Sequence, residues 1–181
     1  MINIENLKNQ FQSKCKKENR QMSKIMNVVI NEDSVLVFDV DGVLAPYEYG
    51  ECNHNACRDD VYEEYMKTHN IYDGLRPLKT IQNILEEHDN PKRVFACSVA
   101  APYEVEAKKS FVLKNYDIPE ENIIFVKSKK EKLSVLHKIH DEYFPDLDPK
   151  MVVMIEDTTA TLTQIQENSE FSTMHVSSFL D

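Results

Sequence analysis

No stretch of this 181-residue chain approaches the roughly 18 to 20 consecutive apolar residues of a membrane-spanning helix. The N-terminus lacks the apolar core of a signal peptide, and Glu5 and Glu18 argue against the acid-poor composition of a transit peptide. The expectation is a cytoplasmic protein without a membrane partner. Cysteine is scarce as well: Cys15, Cys52, Cys57 and Cys97 are too few and too scattered for a disulfide scaffold. Positive charge is in deficit, with 21 Lys and Arg against 31 Asp and Glu and a formal net charge of −10. That balance works against a nucleic-acid backbone as partner. It also sets a condition for any small anionic ligand. A metal cation or well-placed lysines must offset the local repulsion, because salt screens only beyond about 8–10 Å. Neither an internal repeat nor a low-complexity linker divides the chain. What is present, 41% hydrophobic and 29% charged residues, is ordinary for one globular domain with a small insertion.

Residues 4–26 carry Ile4, Leu7, Phe11, Cys15, Met22, Ile25 and Met26 near helical spacing. They are expected to form a helix packed on the domain, setting 1–30 apart from a core over 31–181. A partner-binding helix is the other use of such a face. After it, short apolar runs alternate with helical stretches. The runs are 34–38, 93–97, 122–126, 151–155 and a weaker one at 173–177; the helical stretches are 76–88, 102–116, 128–144 and 159–168. Val- and Ile-rich runs without polar alternation suit strands covered on both faces. Pro77 stands just inside one expected helix, and Ser128 with Glu131 makes a capping-box pattern at the start of another. Strand–helix alternation implies right-handed crossovers, hence a three-layer α/β, Rossmann-like domain with a mostly parallel sheet. The interval from the first run to the second is far longer than a crossover helix needs. Residues 46–75 are therefore read as an insertion at the carboxyl end of the first strand, a small cap.

In an open parallel sheet, ligands bind beyond the carboxyl ends of the strands. The residues there are Asp39 and Asp41 after the first run, Ser98 after the second, a lysine cluster after the third, and Glu156 with Asp157 after the fourth. Four ionised carboxylates at one rim repel one another unless a cation intervenes, and hard oxygen ligands beside a phosphate favour Mg²⁺. A carboxylate can attack phosphorus to give an acyl phosphate that water cleaves. A second carboxylate two residues on is placed to protonate the leaving oxygen and then activate water. Ser98 can hydrogen-bond a phosphoryl oxygen, and a lysine can neutralise developing charge.

The segment "FDVDGVL" resembles the first motif of the haloacid dehalogenase superfamily. "VFACS" resembles its second motif, the lysine cluster its third, and "VVMIED" its fourth, spanning residues 34–157. The resemblance implies a Mg²⁺-dependent phosphatase or phosphotransferase. Asp39 would be nucleophile and metal ligand. Asp41 would be the acid/base and bind metal through its backbone carbonyl, while Asp157 would complete the metal site. Glu156, also assigned to the metal, stands where the family more often has Gly or Asp.

Among the lysines, Leu133, Leu136, Ile139 and Tyr143 define the expected buried face, with Lys132 and Lys129 on that side and Lys130 turned away. The spacing in "KLSVLHKI" resembles the third motif best at Lys132, which is taken as catalytic and phosphate-binding, with Lys129 second. Other signals are declined. Cys52, His54 and Cys57 lack a fourth zinc ligand, His137 and His140 read as a surface pair, and Cys97 reads as a small core residue. In the cap, Tyr47, Glu48, Tyr62 and Tyr65 suit either substrate contact or packing. The expected function is hydrolysis of a small phosphorylated metabolite, such as a nucleotide or sugar phosphate, through an aspartyl-phosphate on Asp39. A phosphotransferase or mutase, a phospho-acceptor signalling domain and a catalytically degenerate binding module are the rivals.

Overall fold

The computed structural model describes residues 30–46 and 59–179, leaving aside the side chains of Asp59 and Asp60. The expected helix over 4–26 lies outside the described residues, as do Cys52, His54, Cys57, Tyr47 and Glu48.

Each apolar run becomes a strand: β1 (Val35–Phe38), β2 (Val94–Val99), β3 (Ile123–Val126), β4 (Val152–Glu156) and β5 (Ser172–His175). They form one five-stranded sheet in the order β3-β2-β1-β4-β5, with every pairing parallel. β1, β2 and β4 are almost wholly buried, whereas β3 and β5 at the edges are half-buried over most of their length. The helices are α1 (Asp59–Met66), α2 (Lys79–His88), α3 (Val105–Asn115), α4 (Glu131–Tyr143) and α5 (Thr159–Asn168). No helix among the described residues is long and apolar enough to cross a membrane.

The two-residue strand period divides the core. Leu36, Phe38, Val94, Ala96, Val153 and Ile155 pack on one face with Ile81 and Leu85 of α2 and Phe111 and Val112 of α3. Val35, Val37, Phe95, Cys97, Val152 and Met154 pack on the other with Leu136 and Ile139 of α4 and Ile165 of α5. The protein is therefore a three-layer α/β, Rossmann-like fold, with helices on both faces of a parallel sheet.

Two local expectations are corrected. The helix after the insertion begins at Lys79, so Pro77 precedes it. Leu78 is extended, and its N–H is taken by the Tyr116 hydroxyl at 2.9 Å. At the start of α4, Ser128 does not cap a backbone amide. Its hydroxyl donates to Glu131 Oε1 at 3.1 Å, while Glu131 Oε2 accepts the N–H of Lys127 at 3.2 Å, one residue further back than a capping box requires.

The described part of the segment between β1 and α2, residues 59–78, holds α1 and a 3₁₀ turn (Ile71–Gly74), and its Tyr62, Met66 and Tyr72 join the core beside α3. Tyr116, just past α3, ties that segment to the loop after β1: it accepts from Leu78 N–H and donates to the Leu44 carbonyl at 2.6 Å. Tyr116→Phe strands the buried Leu44 carbonyl and the half-buried Leu78 N–H and should cost about 1–3 kcal/mol. In a chain of this size the melting temperature should fall by roughly 2–4 °C per kcal/mol. An unchanged melting temperature would show that the hydroxyl does not fasten the loop.

Candidate active site

Strand period also decides which side chains meet at the rim. Val35, Val37 and then Asp39 point toward the α4–α5 face, as do Val152, Met154 and then Glu156. β1 and β4 are neighbours, with Phe38 opposite Ile155, and the Asp39 N–H continues the ladder by donating to the Ile155 carbonyl at 2.9 Å. The two carboxylates thus emerge side by side. Gly42 has φ 74°, the left-handed region that favours glycine. It lets the chain turn back at once, with the N–H groups of Val43 and Ala45 both reaching the Val40 carbonyl. Asp39 keeps its orientation because Oδ1 accepts the Val40 N–H at 2.8 Å.

Lys132, in the first turn of α4, reaches between them. Its Nζ lies 2.9 Å from Asp39 Oδ2 and 2.6 Å from Glu156 Oε2. Lys132 is 1% exposed, Asp39 6% and Glu156 0%, so this bridge sits away from water. The other Glu156 oxygen accepts the N–H groups of Asp157 and Thr158, each at 3.2 Å, at the amino end of α5. Asp157 is half-buried. Thr158 donates its hydroxyl to Asp157 Oδ1 at 3.0 Å, and His175 Nε2–H of β5 donates to the Asp157 carbonyl at 2.9 Å. The His175 tautomer follows from Nδ1, which accepts the Ser177 N–H at 3.1 Å.

Of the lysine cluster, Lys132 alone enters this bridge. Lys129 stays exposed and donates to Thr158 Oγ1 at 3.0 Å, and Lys130 is exposed. Leu136 and Ile139 are buried as expected, but Tyr143 is 59% exposed, its ring resting on the edge of Phe95 and Phe144. Ser98 is buried on β2, two residues beyond the Ala96 that pairs with Phe38, and its hydroxyl donates to the Val99 carbonyl at 3.4 Å. Beneath the bridge, Cys97 is fully buried and its thiol is pushed up to about 12 by burial. His137 and His140 both lie against the Phe171 ring.

Asp41 faces elsewhere. Its Oδ1 accepts the Tyr72 hydroxyl at 2.6 Å, and its Oδ2 lies 2.7 Å from Lys108 Nζ. Sequence reasoning missed both partners. Lys108 had a signal: it lies three and four residues before Phe111 and Val112, on the buried stripe of α3. Tyr72 sits in a short turn with no periodicity to read. Of the cap tyrosines singled out, Tyr62 donates to Glu104 Oε1 at 3.1 Å and Tyr65 stacks on His69.

Oxygen atoms of Asp39, Glu156 and Asp157 all lie within 4.8 Å of one another. Three carboxylates against one ammonium leave two negative charges over, which a divalent cation matches. An all-oxygen donor set suits a hard ion such as Mg²⁺, so the residues present fit the metal. Burial raises the Asp39 pKa; Lys132 opposes the rise and Glu156 adds to it. Burial also works against the Lys132 charge, but Asp39 and Glu156 together outweigh it and hold its pKa above the ordinary value.

The signs of these shifts set a stability test. Asp39 binds its proton more tightly folded than unfolded, so metal-free stability falls as pH rises from the unfolded value of 3.8 through the raised one. At neutral pH in excess chelator, Asp39→Asn should therefore raise the melting temperature. Added Mg²⁺ should stabilise the parent chain and do so much less in the variant. A variant that melts lower in chelator, or gains as much from Mg²⁺ as the parent, would contradict this electrostatic picture.

No protein-family model matches the sequence, and no curated protein matches it. Among solved structures, a similar chain is the HAD domain of the effector protein Lem4 from Legionella pneumophila, an inactive mutant. It is 13% identical, with 78% of this chain and 84% of that chain covered and a TM-score of 0.41. At that score the likeness decides nothing about the site, which stands on its own geometry.

Proposed function

We propose that the protein hydrolyses a small phosphomonoester through an aspartyl-phosphate on Asp39, with Mg²⁺ held by Asp39, Glu156, Asp157 and the Asp41 backbone carbonyl. The observation that carries this reading is the buried bridge from Lys132 to Asp39 and Glu156 beside Asp157. A structural salt bridge needs no third carboxylate within 4.8 Å and no position at the carboxyl rim of a parallel sheet. Mg²⁺, when bound, supplies charge neutralisation for the phosphoryl oxygens and a fixed orientation of the group.

The chain's own residues supply the rest. An Asp39 oxygen forms a bond to phosphorus as the ester P–O bond breaks, and Asp41 gives its proton to the departing oxygen. Water then attacks the acyl phosphate and passes a proton back to Asp41, releasing inorganic phosphate and restoring the Asp39 carboxylate and the protonated Asp41. Lys132 holds Asp39 in place and balances charge that builds on the phosphoryl group. Ser98, at the same end of the sheet, is assigned to a phosphoryl oxygen. A small leaving group, a nucleotide or sugar, suits the short insertion. A cytoplasmic setting goes with the reading.

A panel of phosphorylated metabolites with and without Mg²⁺ is the test. Hydrolysis should require the metal and vanish in chelator, and products should contain inorganic phosphate rather than a new phosphoester. Lys132→Ala should cost about 2.7–4 kcal/mol of transition-state stabilisation, the scale of losing one preorganised donor. Lys129→Ala, at an exposed position, should change stability by less than roughly 0.5 kcal/mol and leave turnover near normal. Full turnover in chelator, or equal losses in the two lysine variants, would overturn the assignment.

A further inference from the structure

The Asp41 side chain is 23% exposed, yet both of its oxygens are engaged by donors from different parts of the chain. Lys108 is the more firmly fixed of the two. It is 2% exposed, and its Nζ donates to the Val99 carbonyl at the end of β2 at 2.6 Å. The same Nζ lies 3.8 Å from Glu104 Oε1. Glu104 is buried too, and accepts from the Ala101 N–H at 2.7 Å and from the Tyr62 hydroxyl at 3.1 Å. Tyr72, 3% exposed, completes the group from the insertion side. A linked set of groups therefore runs from the end of β2, through α3, to the loop after β1 and the insertion.

Burying a lysine ammonium costs several kcal/mol unless its partners repay it. An apolar residue would fill this stripe of α3 without that cost, since Phe111 and Val112 beside it already do so. What the lysine adds is a charge held 2.7 Å from one oxygen of Asp41.

We propose that Lys108 is a positioning residue for Asp41, with Tyr72 as its second support. The proposal rests on the phosphatase reading, in which Asp41 moves the proton. A carboxylate free to rotate at the rim samples several orientations. One gripped on both oxygens from β2 and from the insertion keeps its reach toward the leaving oxygen, where proton transfer needs roughly 2.6–3.2 Å between heavy atoms. A displacement of about 1 Å in such a group can cost on the order of 10²-fold in rate.

Lys108 acts through Asp41, so its loss should carry the signature of losing Asp41. The test uses the full chain with saturating Mg²⁺ and two substrates, glycerol phosphate with a poor leaving group and p-nitrophenyl phosphate with a good one. Asp41→Asn should slow kcat on glycerol phosphate by around 10²- to 10⁴-fold, and much less on the nitrophenyl ester. Lys108→Met should lose on the order of 10²-fold on glycerol phosphate with the same tilt between substrates. The double variant should be no slower than Asp41→Asn alone. Tyr72→Phe, which removes one hydroxyl and spares the fold if Lys108→Met does not, should show the same tilt and the same non-additivity. Losses that multiply in the double variants, or that fall equally on both esters, would overturn the positioning role while Asp39→Asn remains inactive. A parent enzyme inactive on both esters and on the wider panel, or an Asp39→Asn variant that keeps full activity, would overturn the phosphatase reading and this role with it.

Discussion

A single ammonium between two carboxylates, with almost no water around it, is the constraint on which the site depends. Lys132 reaches Asp39 and Glu156 from the first turn of α4, where a positive charge is disfavoured by the exposed N–H groups of the helix end. Removing the ammonium from such a buried set leaves both carboxylates uncompensated and costs about 3–5 kcal/mol. Even intact, the set is one positive charge short for its two buried carboxylates, and Asp157 adds a third at its edge. A fold selected for stability alone would relieve this with an apolar residue. Retaining the imbalance makes sense where a divalent cation and a phosphoryl group pass through the site, so that their charges are balanced when they arrive rather than when the chain folds.

The topology makes that contact possible at little further cost. Because β1 and β4 are adjacent, residues one step past Phe38 and Ile155 emerge together. Because α4 covers the face to which those residues point, a lysine stem can run along the apolar layer and deliver only its head to the rim. The opposite face carries a second arrangement of the same kind, with Lys108 of α3 directed at Asp41. The two aspartates of the loop after β1 thus look toward different lysines on different layers of the sandwich, although only Val40 separates them. Their proposed division of labour, nucleophile and proton carrier, follows that divergence.

Much of this could be read from the residues in order. Apolar runs marked β1 to β4 because strands covered on both faces show little polar alternation, whereas the half-buried β5, with Ser172, Thr173 and His175, gave only a weak signal. Their places just past the first and fourth runs carried Asp39 and Glu156 to one rim, and helical period carried Lys132 inward and Lys130 outward. Tyr143 was read as buried by the same period. At the last turn of α4, however, its ring packs on one side only. The Lys108 and Tyr72 supports were missed for separate reasons. A lysine on a buried stripe is outvoted by the charged residues around it, and a tyrosine in a 3₁₀ turn has no periodic neighbours. Long-range pairs such as Tyr72 with Asp41 arise from where the insertion folds back, which local pattern does not encode.

The most direct measurement is the chemical identity of the group phosphorylated during turnover. The chain is mixed with a hydrolysed ester and Mg²⁺, quenched in acid within one turnover, digested and analysed by mass spectrometry. The expected result is a phosphoryl group on Asp39, absent when Mg²⁺ is chelated and absent in Asp39→Asn. A phosphoryl group on Ser98 or another side chain would contradict the central role given to Asp39 and its bridge to Lys132. So would steady hydrolysis with no phospho-enzyme and with Asp39→Asn fully active.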